Sequence, residues 1–146
     1  MLNFFRRKST QAPKPNRVRE HSIRKQISDA NALNVIEVLN ANGFQAYLVG
    51  GCVRDALCGV KPKEFDVATD APLETIRQLF RRSRIVGKRF PIVHVRFGRD
   101  LIEVSTFRQS ISDKVVHDDR GMILRDNAFG TLHEDAFRRD FTANAL

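Results

Sequence analysis

The segment Leu48-Val49-Gly50-Gly51-Cys52-Val53-Arg54-Asp55 begins with apolar residues, continues through two glycines and ends with two apolar and two charged residues. We predict a buried strand that turns at the glycines into a short helix. Glycine lets the backbone approach a ligand closely, and the free N–H groups at a helix start favour a phosphate. Gly50 and Gly51 are therefore candidate phosphate-binding residues, and Arg54 would add a charge-assisted contact. The alternative is a tight turn that binds nothing.

Two acidic residues, Glu64 and Asp66, flank Phe65 at the start of a second predicted strand. Residues two apart on a strand point to the same face. Two carboxylates beside an apolar run are unfavourable unless a cation neutralises them. The pair is a candidate Mg²⁺ site, where the metal would activate an attacking hydroxyl and hold a leaving pyrophosphate. The alternative is a solvated strand face.

A third acid, Glu103, lies on a later predicted strand in which polar and apolar residues alternate. If this strand lies beside the strand of Glu64 and Asp66, Glu103 would complete a cluster of three carboxylates. Strand adjacency cannot be read from a sequence, so an isolated surface acid is the alternative.

The C-terminal segment, residues 138–146, carries Arg139, Asp140 and Asn144. Asp140 and Asn144 are four residues apart and would share a helix face. Together with Arg139 they offer donors and an acceptor that suit a ribose and a triphosphate. A charged surface helix is the alternative.

Hydrophobic spacing and turn residues predict a mixed α/β (α+β) domain, a small sheet flanked by helices, without an internal repeat. The first helix, over residues 30–42, is predicted to bury the face with Leu33, Ile36 and Leu39 and to be capped by Asp29 or the residue before it. Four strands are predicted, over residues 44–49, 65–69, 92–97 and 101–107. Three further helices are predicted: one over 52–58, one that begins at Pro72, and one that runs from a capping box at residues 131–134 to residue 146. Residues 109–130 are predicted to be a loop.

Positive charge is concentrated near the N-terminus. Residues 1–26 contain eight of the 25 Lys and Arg residues and only one of the 17 acidic residues. We predict that residues 1–27 form a basic, disordered arm and residues 28–146 the folded domain. Such an arm attracts polyanions, above all RNA, through a salt-sensitive interaction. A leader that only aids solubility is the alternative.

A second basic segment, residues 75–99, has eight Lys and Arg residues and no acid. Lys88, in a predicted turn before a strand, is the best-placed candidate for phosphate or RNA contact. A solvated helix face explains the first arginines of the segment equally well.

Several protein classes are excluded by composition. No apolar run approaches the roughly 20 residues that a transmembrane helix needs, and the start lacks the apolar stretch of a secretory signal. We therefore expect no stable membrane insertion. The two cysteines, Cys52 and Cys58, suit neither a disulfide framework nor a zinc site. We expect two thiols in a cytoplasmic protein.

The glycine turn, the acidic pair and the 138–144 segment occur together and in this order. In that combination the chain, from about residue 28 onward, resembles the head domain of the class II tRNA nucleotidyltransferase and bacterial poly(A) polymerase family, within the polymerase β-like nucleotidyltransferases. Residues 86–95 and 125–138 favour the bacterial poly(A) polymerase branch.

The resemblance implies a template-independent addition of AMP from ATP to an RNA 3′-hydroxyl, with release of pyrophosphate. It also implies residue roles: Gly50, Gly51 and Arg54 for the triphosphate, Glu64 and Asp66 for Mg²⁺ with Glu103 in support, and Arg139, Asp140 and Asn144 for the incoming nucleotide, with Asp140 among the active-site acids.

Two features depart from the family pattern. Glu64 stands where the family has Asp, and the extra methylene moves the charge outward, which predicts reduced activity because Mg²⁺ tolerates poor geometry badly. The sequence also stops at Leu146, before the neck that selects the base and the body and tail that grip RNA. We expect little or no processive activity from the isolated chain. A CCA-adding tRNA nucleotidyltransferase and a non-catalytic RNA-binding remnant are the alternative functions.

Overall fold

The computed structural model describes residues 18, 23–27, 29–108, 116–117, 123–125 and 129–146. Most of the predicted arm lies outside these residues. At its expected end the structure instead forms one helical turn, α1 (Ile23–Gln26), and Ile27 is buried. Within the described residues, no helix has the length and apolar character needed to cross a membrane.

The described elements confirm the α+β class. They are α2 (Ala30–Ala41), β1 (Ala46–Val49), α3 (Gly51–Leu57), β2 (Asp66–Thr69), α4 (Leu73–Leu79), β3 (Ser83–Val86), β4 (Ile92–Phe97), β5 (Asp100–Thr106), β6 (Val116–His117), β7 (Ile123–Arg125) and α5 (Leu132–Arg138), followed by a 3₁₀ turn at Thr142–Asn144.

Two strand assignments differ from the expectation. β3 was not expected, because its four residues are too short to show a clear alternation. In the segment expected to be an irregular loop, the described parts β6 and β7 pair as a short antiparallel ribbon. The rest of that segment lies outside the described residues.

Five strands form one sheet in the order β1-β2-β5-β4-β3. β2 and β5 run parallel, and the other neighbouring pairs are antiparallel. The parallel pair places Asp66 directly beside Glu103. The expectation that the two acidic strands are neighbours is therefore confirmed.

The main core lies on one face of the sheet, under α2 and α4. The buried side chains that build it include Val35 and Leu39 of α2, Ile76 of α4, and Val67 and Val104 of the central strands. A smaller cluster on the opposite face joins Val49, Ala68, Phe107 and Leu132. It attaches the start of α5 to the β1–β2 end of the sheet.

Helix α2 begins at a cap made by Asp29, whose Oδ1 accepts a hydrogen bond from the N–H of Ala32 at 2.8 Å. Its buried face carries Ala32, Val35 and Leu39. Leu33 is 41% exposed, so its expected place in the core is wrong. The apolar residues of α2 fit two neighbouring helix faces, one with Leu33 and one with Ala32. The face with Ala32 is the one that packs on the sheet.

We predict that Leu39→Ala lowers the free energy of unfolding by about 2–5 kcal/mol, because it opens a cavity in the core. Leu33→Ala, on the same helix but 41% exposed, removes the same atoms and should change stability by less than about 1 kcal/mol. Chemical denaturation followed by circular dichroism measures both. Equal losses for the two variants would contradict the described orientation of α2.

Candidate active site

Gly50 forms the floor of the site. It connects β1 to α3 with φ +74°, a conformation that favours glycine. A Cβ atom at this position would lie 3.8 Å from Nη1 of Arg139, 3.9 Å from Oδ2 of Asp66 and 4.0 Å from the carbonyl oxygen of Asn144. Residues far apart in sequence thus converge on a backbone that carries no side chain.

The acidic side of the site is built by the first residue of β2. Asp66 lies opposite Val49 of β1 and beside Glu103 of β5. Burial raises the pKa of the Asp66 carboxyl above its usual value, and the charge of Glu103 raises it further. Arg139 opposes this effect, and the charge of Glu64 adds to it. The ionised form of Asp66 is therefore less favourable here than in water.

Glu64 occupies a different position from the one expected. It is exposed and lies two residues before β2, so the alternation of a strand does not fix its direction. In the described part of the chain, no group of three His, Cys, Asp or Glu side chains is close enough to hold a metal ion. The structure thus brings the three acids into one neighbourhood, but it does not assemble them as a three-ligand set.

Arg139 reaches Gly50 because a buried acid holds it. Asp135 is 1% exposed. Its Oδ2 accepts from Nε and Nη2 of Arg139 at 3.0 and 2.7 Å, and its Oδ1 accepts from Nε and Nη2 of Arg138 at 2.8 and 2.6 Å. The backbone N–H of Arg108 also donates to Oδ1, at 3.1 Å. One edge of Arg139 is thereby fixed, and Nη1 is the guanidinium nitrogen nearest to Gly50.

The C-terminal segment is not the continuous helix that was expected. α5 starts at the expected capping box on Thr131 but ends at Arg138, and Phe141 has φ +55°. The Oδ1 atom of Asp140 accepts from the N–H of Phe141 at 2.9 Å, a local bond that competes with helix continuation. Asp140 is exposed and does not share a helix face with Asn144, which lies in the 3₁₀ turn.

Arg54 and Asn144 close a second side of the site. Nη1 of Arg54 donates to Oδ1 of Asn144 at 2.7 Å, while Nε and Nη2 of Arg54 both donate to Oδ1 of Asp55. A Cβ at Gly51 would lie 3.5 Å from Nη2 of Arg54. The backbone N–H of Gly50 donates to the carbonyl of Leu146 at 3.3 Å. Leu146 is therefore part of this wall.

The family model of the poly(A) polymerase head domain matches residues 46–146. The matched part of the chain contains the glycine turn, the acids and the C-terminal segment. The chain belongs to this family.

Relatives of this chain include poly(A) polymerases and CCA-adding enzymes. Poly(A) polymerase I of Haemophilus influenzae is 56% identical over 122 residues, which are 80% of this chain and 27% of that protein. The CCA-adding enzyme of Enterococcus faecalis is 42% identical over 116 residues, or 79% of this chain and 27% of that protein. Among solved structures, the Bacillus stearothermophilus CCA-adding enzyme in complex with CTP matches with a TM-score of 0.60 at 33% identity, over 86% of this chain and 27% of that chain. The head domain thus spans about a quarter of the length of these relatives.

The other candidate residues of the head domain lie apart from the Gly50 floor. Lys88 is exposed in the connection between β3 and β4, beyond the pair formed by Val86 and Ile92. Asp66, in contrast, is in register with Glu103, Glu103 with His94 and His94 with Arg84, so these four residues form one row across the sheet. The structure therefore does not bring Lys88 into the row of the acids.

Two residues of the head domain site were not expected from the sequence. Asp135 precedes Arg138 and Arg139 by three and four residues, a helical spacing that could have revealed the ion pairs. His94 lies opposite Glu103, with its Nε2 3.3 Å from Oε1 of that residue. No signal in the sequence revealed this cross-strand pair, because it depends on the register of β4 and β5.

We predict that Asp135→Asn destabilises the head domain by about 1–3 kcal/mol, because it leaves two half-buried guanidinium groups without the carboxylate that accepts their hydrogen bonds. Asp140→Asn removes the same charge at an exposed position and should cost less than about 0.5 kcal/mol. Urea denaturation measures both values. A loss below 1 kcal/mol for Asp135→Asn would be inconsistent with the described ion pairs.

The two cysteines should differ in reactivity. Burial raises the pKa of the Cys52 thiol above its usual value, which lowers the thiolate fraction near pH 8, whereas Cys58 is exposed. Iodoacetamide followed by mass spectrometry should label Cys58 in the native protein and Cys52 only after denaturation. In Cys58→Ser the native protein should stay unlabelled. Labelling of both thiols at the same rate would contradict the described burial of Cys52.

Proposed function

We propose that this head domain carries the nucleotide site and catalytic acids of a template-independent RNA adenylyltransferase. The reaction adds AMP from ATP to an RNA 3′ end and releases pyrophosphate. The observation that carries the proposal is the Gly50 floor, where Nη1 of Arg139 and Oδ2 of Asp66 lie 3.8 and 3.9 Å from the place that a Cβ would occupy. A phosphate on this floor would meet a cationic donor and lie beside an acid, as phosphoryl transfer requires.

The triphosphate would be held by the residues around this floor. Gly50 and Gly51 leave room for it, and Arg139 supplies a charge-assisted donor. Arg54 and Asn144, bonded to each other at 2.7 Å, would form the wall beside it. The roles of Asp140 and Lys88 in nucleotide binding stay predictions.

The acids of the site fit Mg²⁺ as the resident cation. Carboxylate oxygens are the ligands that Mg²⁺ prefers, and the raised pKa of Asp66 reflects burial and acidic neighbours that a bound cation would offset. Asp66 and Glu64 would hold the metal, with Glu103 in support. When bound, Mg²⁺ supplies positive charge that favours the attacking 3′-oxygen and the departing pyrophosphate.

The chain's own residues contribute position and charge to the reaction. The RNA 3′-oxygen forms a bond to the α-phosphorus of ATP, the bond from that phosphorus to the bridging oxygen breaks, pyrophosphate leaves, and the hydroxyl proton passes to solvent. Arg139 would hold the triphosphate in line for this displacement and offset its negative charge. Asp135 would act through Arg139, as a positioning residue.

Adenylate addition is favoured over CCA addition by the 56% identity to a poly(A) polymerase I, against 42% to a CCA-adding enzyme. We also propose a cytoplasmic location, which rests on the two unpaired cysteines.

The function is tested by ATP binding and AMP transfer with the 146-residue chain. We expect Mg²⁺-dependent binding of ATP and, at high protein concentration, addition of a few AMP residues to an RNA oligonucleotide from ATP alone. Gly50→Ala should weaken ATP binding at least tenfold, since it places a methyl group on the floor.

Gly59→Ala is the matched control, because Gly59 has φ +72° and no atom within 4 Å of an added Cβ. It introduces similar backbone strain but should leave ATP affinity within about twofold, after correction for the folded fraction. A requirement for CTP would favour CCA addition. Absence of Mg²⁺-dependent ATP binding would refute the proposal and favour a non-catalytic RNA-binding remnant.

A further inference from the structure

In the part of the chain that the structure describes, one half of the sheet face that carries the acids is basic. Asp66 lies in register with Glu103, Glu103 with His94, and His94 with Arg84. Residues in register point to the same face, so these four side chains form one row across β2, β5, β4 and β3. With neighbouring strands about 4.8 Å apart, the backbone of Arg84 lies roughly 14 Å from that of Asp66.

Two further arginines extend this row into a basic surface. Arg96 follows His94 by two residues on β4 and therefore points to the same face. Arg82 lies opposite Arg96, whose backbone N–H donates to the carbonyl of Arg82 at 2.9 Å. Arg82, Arg84 and Arg96 are all exposed. We call these three residues the arginine face.

The arginine face is not neutralised by the described protein. Within the described residues, the carboxylates that lie within 4.0 Å of an arginine contact Arg54, Arg77, Arg138 and Arg139, and none contacts the arginine face. Like charges opposite each other on neighbouring strands destabilise a sheet. Arg82 and Arg96 nevertheless stand opposite each other, an arrangement that a bound polyanion would stabilise.

The position of the arginine face decides which polyanion fits. The proposed triphosphate site at Gly50 lies on the β1 side of Asp66, since Val49 is the register partner of Asp66. The arginine face lies on the β4–β3 side of the same acid. Asp66 and Glu103 thus stand between two cationic surfaces, and the second is available to the reactant that attacks ATP.

We propose that the arginine face binds the phosphodiester backbone of the RNA strand whose 3′ end is extended, an inference that rests on the proposed function. Side chains two residues apart on a strand face are roughly 6.6–7 Å apart, so the surface offers repeated charges to a repeated anion. The contacts carry no base information and fix the position of the strand, as phosphate contacts do in nucleic-acid complexes. The 3′ end then points along the row toward Glu103 and Asp66.

The test compares two double variants of the full chain that lose the same charge. Arg84→Gln/Arg96→Gln removes two residues of the arginine face. Arg77→Gln/Arg99→Gln removes two exposed arginines, one from α4 and one from the turn between β4 and β5. Both variants keep the basic N-terminal segment, so its contribution to RNA binding is the same in each.

Fluorescence anisotropy with a labelled oligoadenylate measures the affinity for RNA over a range of salt concentrations, and a fluorescent ATP analogue measures the affinity for nucleotide. We expect Arg84→Gln/Arg96→Gln to weaken RNA binding about tenfold and to reduce the slope of log K against log salt by about 1.4, the value for two contacts to a single strand. ATP binding should stay within twofold. The control should lose less than threefold in RNA affinity.

Three results would overturn the inference: equal loss of RNA affinity in both variants, loss of ATP binding in place of RNA binding, or no RNA binding by the unmodified chain. Failure of the proposed function is a separate result. If the unmodified chain transfers no AMP and binds no ATP, but only Arg84→Gln/Arg96→Gln loses RNA affinity, the surface stands and the enzymatic proposal fails.

Discussion

The carboxylate of Asp135 lies 1% exposed between two guanidinium groups, and the arrangement of the site follows from it. Burying a charged group is costly unless its partners satisfy it with good geometry. Here Arg138 and Arg139 each donate twice and the backbone of Arg108 donates once. The Arg108 bond ties the middle of α5 to the chain just after β5. Leu132, at the start of α5, packs against the smaller core cluster.

Arg139 therefore contacts both the buried acid Asp135 and the Gly50 floor. Two of its nitrogens are held by Asp135, while Nη1 lies by the Gly50 floor. Its charge opposes the rise in the pKa of Asp66 that burial and Glu103 cause. A flexible arginine would lose rotamer entropy on binding a phosphate. Because Asp135 has already fixed the side chain, most of that loss occurs on folding, and an anion bound at the proposed site would meet an ordered arginine.

The general form of this arrangement could be predicted from the sequence. The turn at Gly50, the strand of Asp66 and the capping box on Thr131 depend on local patterns, and the structure has all of them. Long-range pairing was harder. The neighbourhood of Asp66 and Glu103 was a conditional inference, and the opposition of His94 and Glu103 could not be derived, because register is set by tertiary packing.

Local competition explains the clearest error. The segment after Arg138 has helical spacing, but Asp140 bonds to the N–H of its own neighbour and Phe141 takes φ +55°. Ion pairing of Arg138 and Arg139 with one buried acid fixes the last turn of α5. Periodicity alone cannot weigh such contacts against a further helical turn, so Asp140 and Asn144 were wrongly placed on one face.

The position of Glu64 changes the meaning of its departure from the family pattern. The expected reduction in activity assumed that Glu64 and Asp66 both lie on a pleated strand, where an extra methylene moves the carboxylate along a fixed direction.

The structure begins β2 at Asp66 and leaves Glu64 exposed in the preceding segment. Its backbone lies outside the hydrogen-bonded ladder of the sheet. Asp66, in contrast, is fixed beside Val49 and Glu103. The direction of the extra methylene is therefore not fixed by the sheet, and the reduced activity expected from Glu64 stays a prediction.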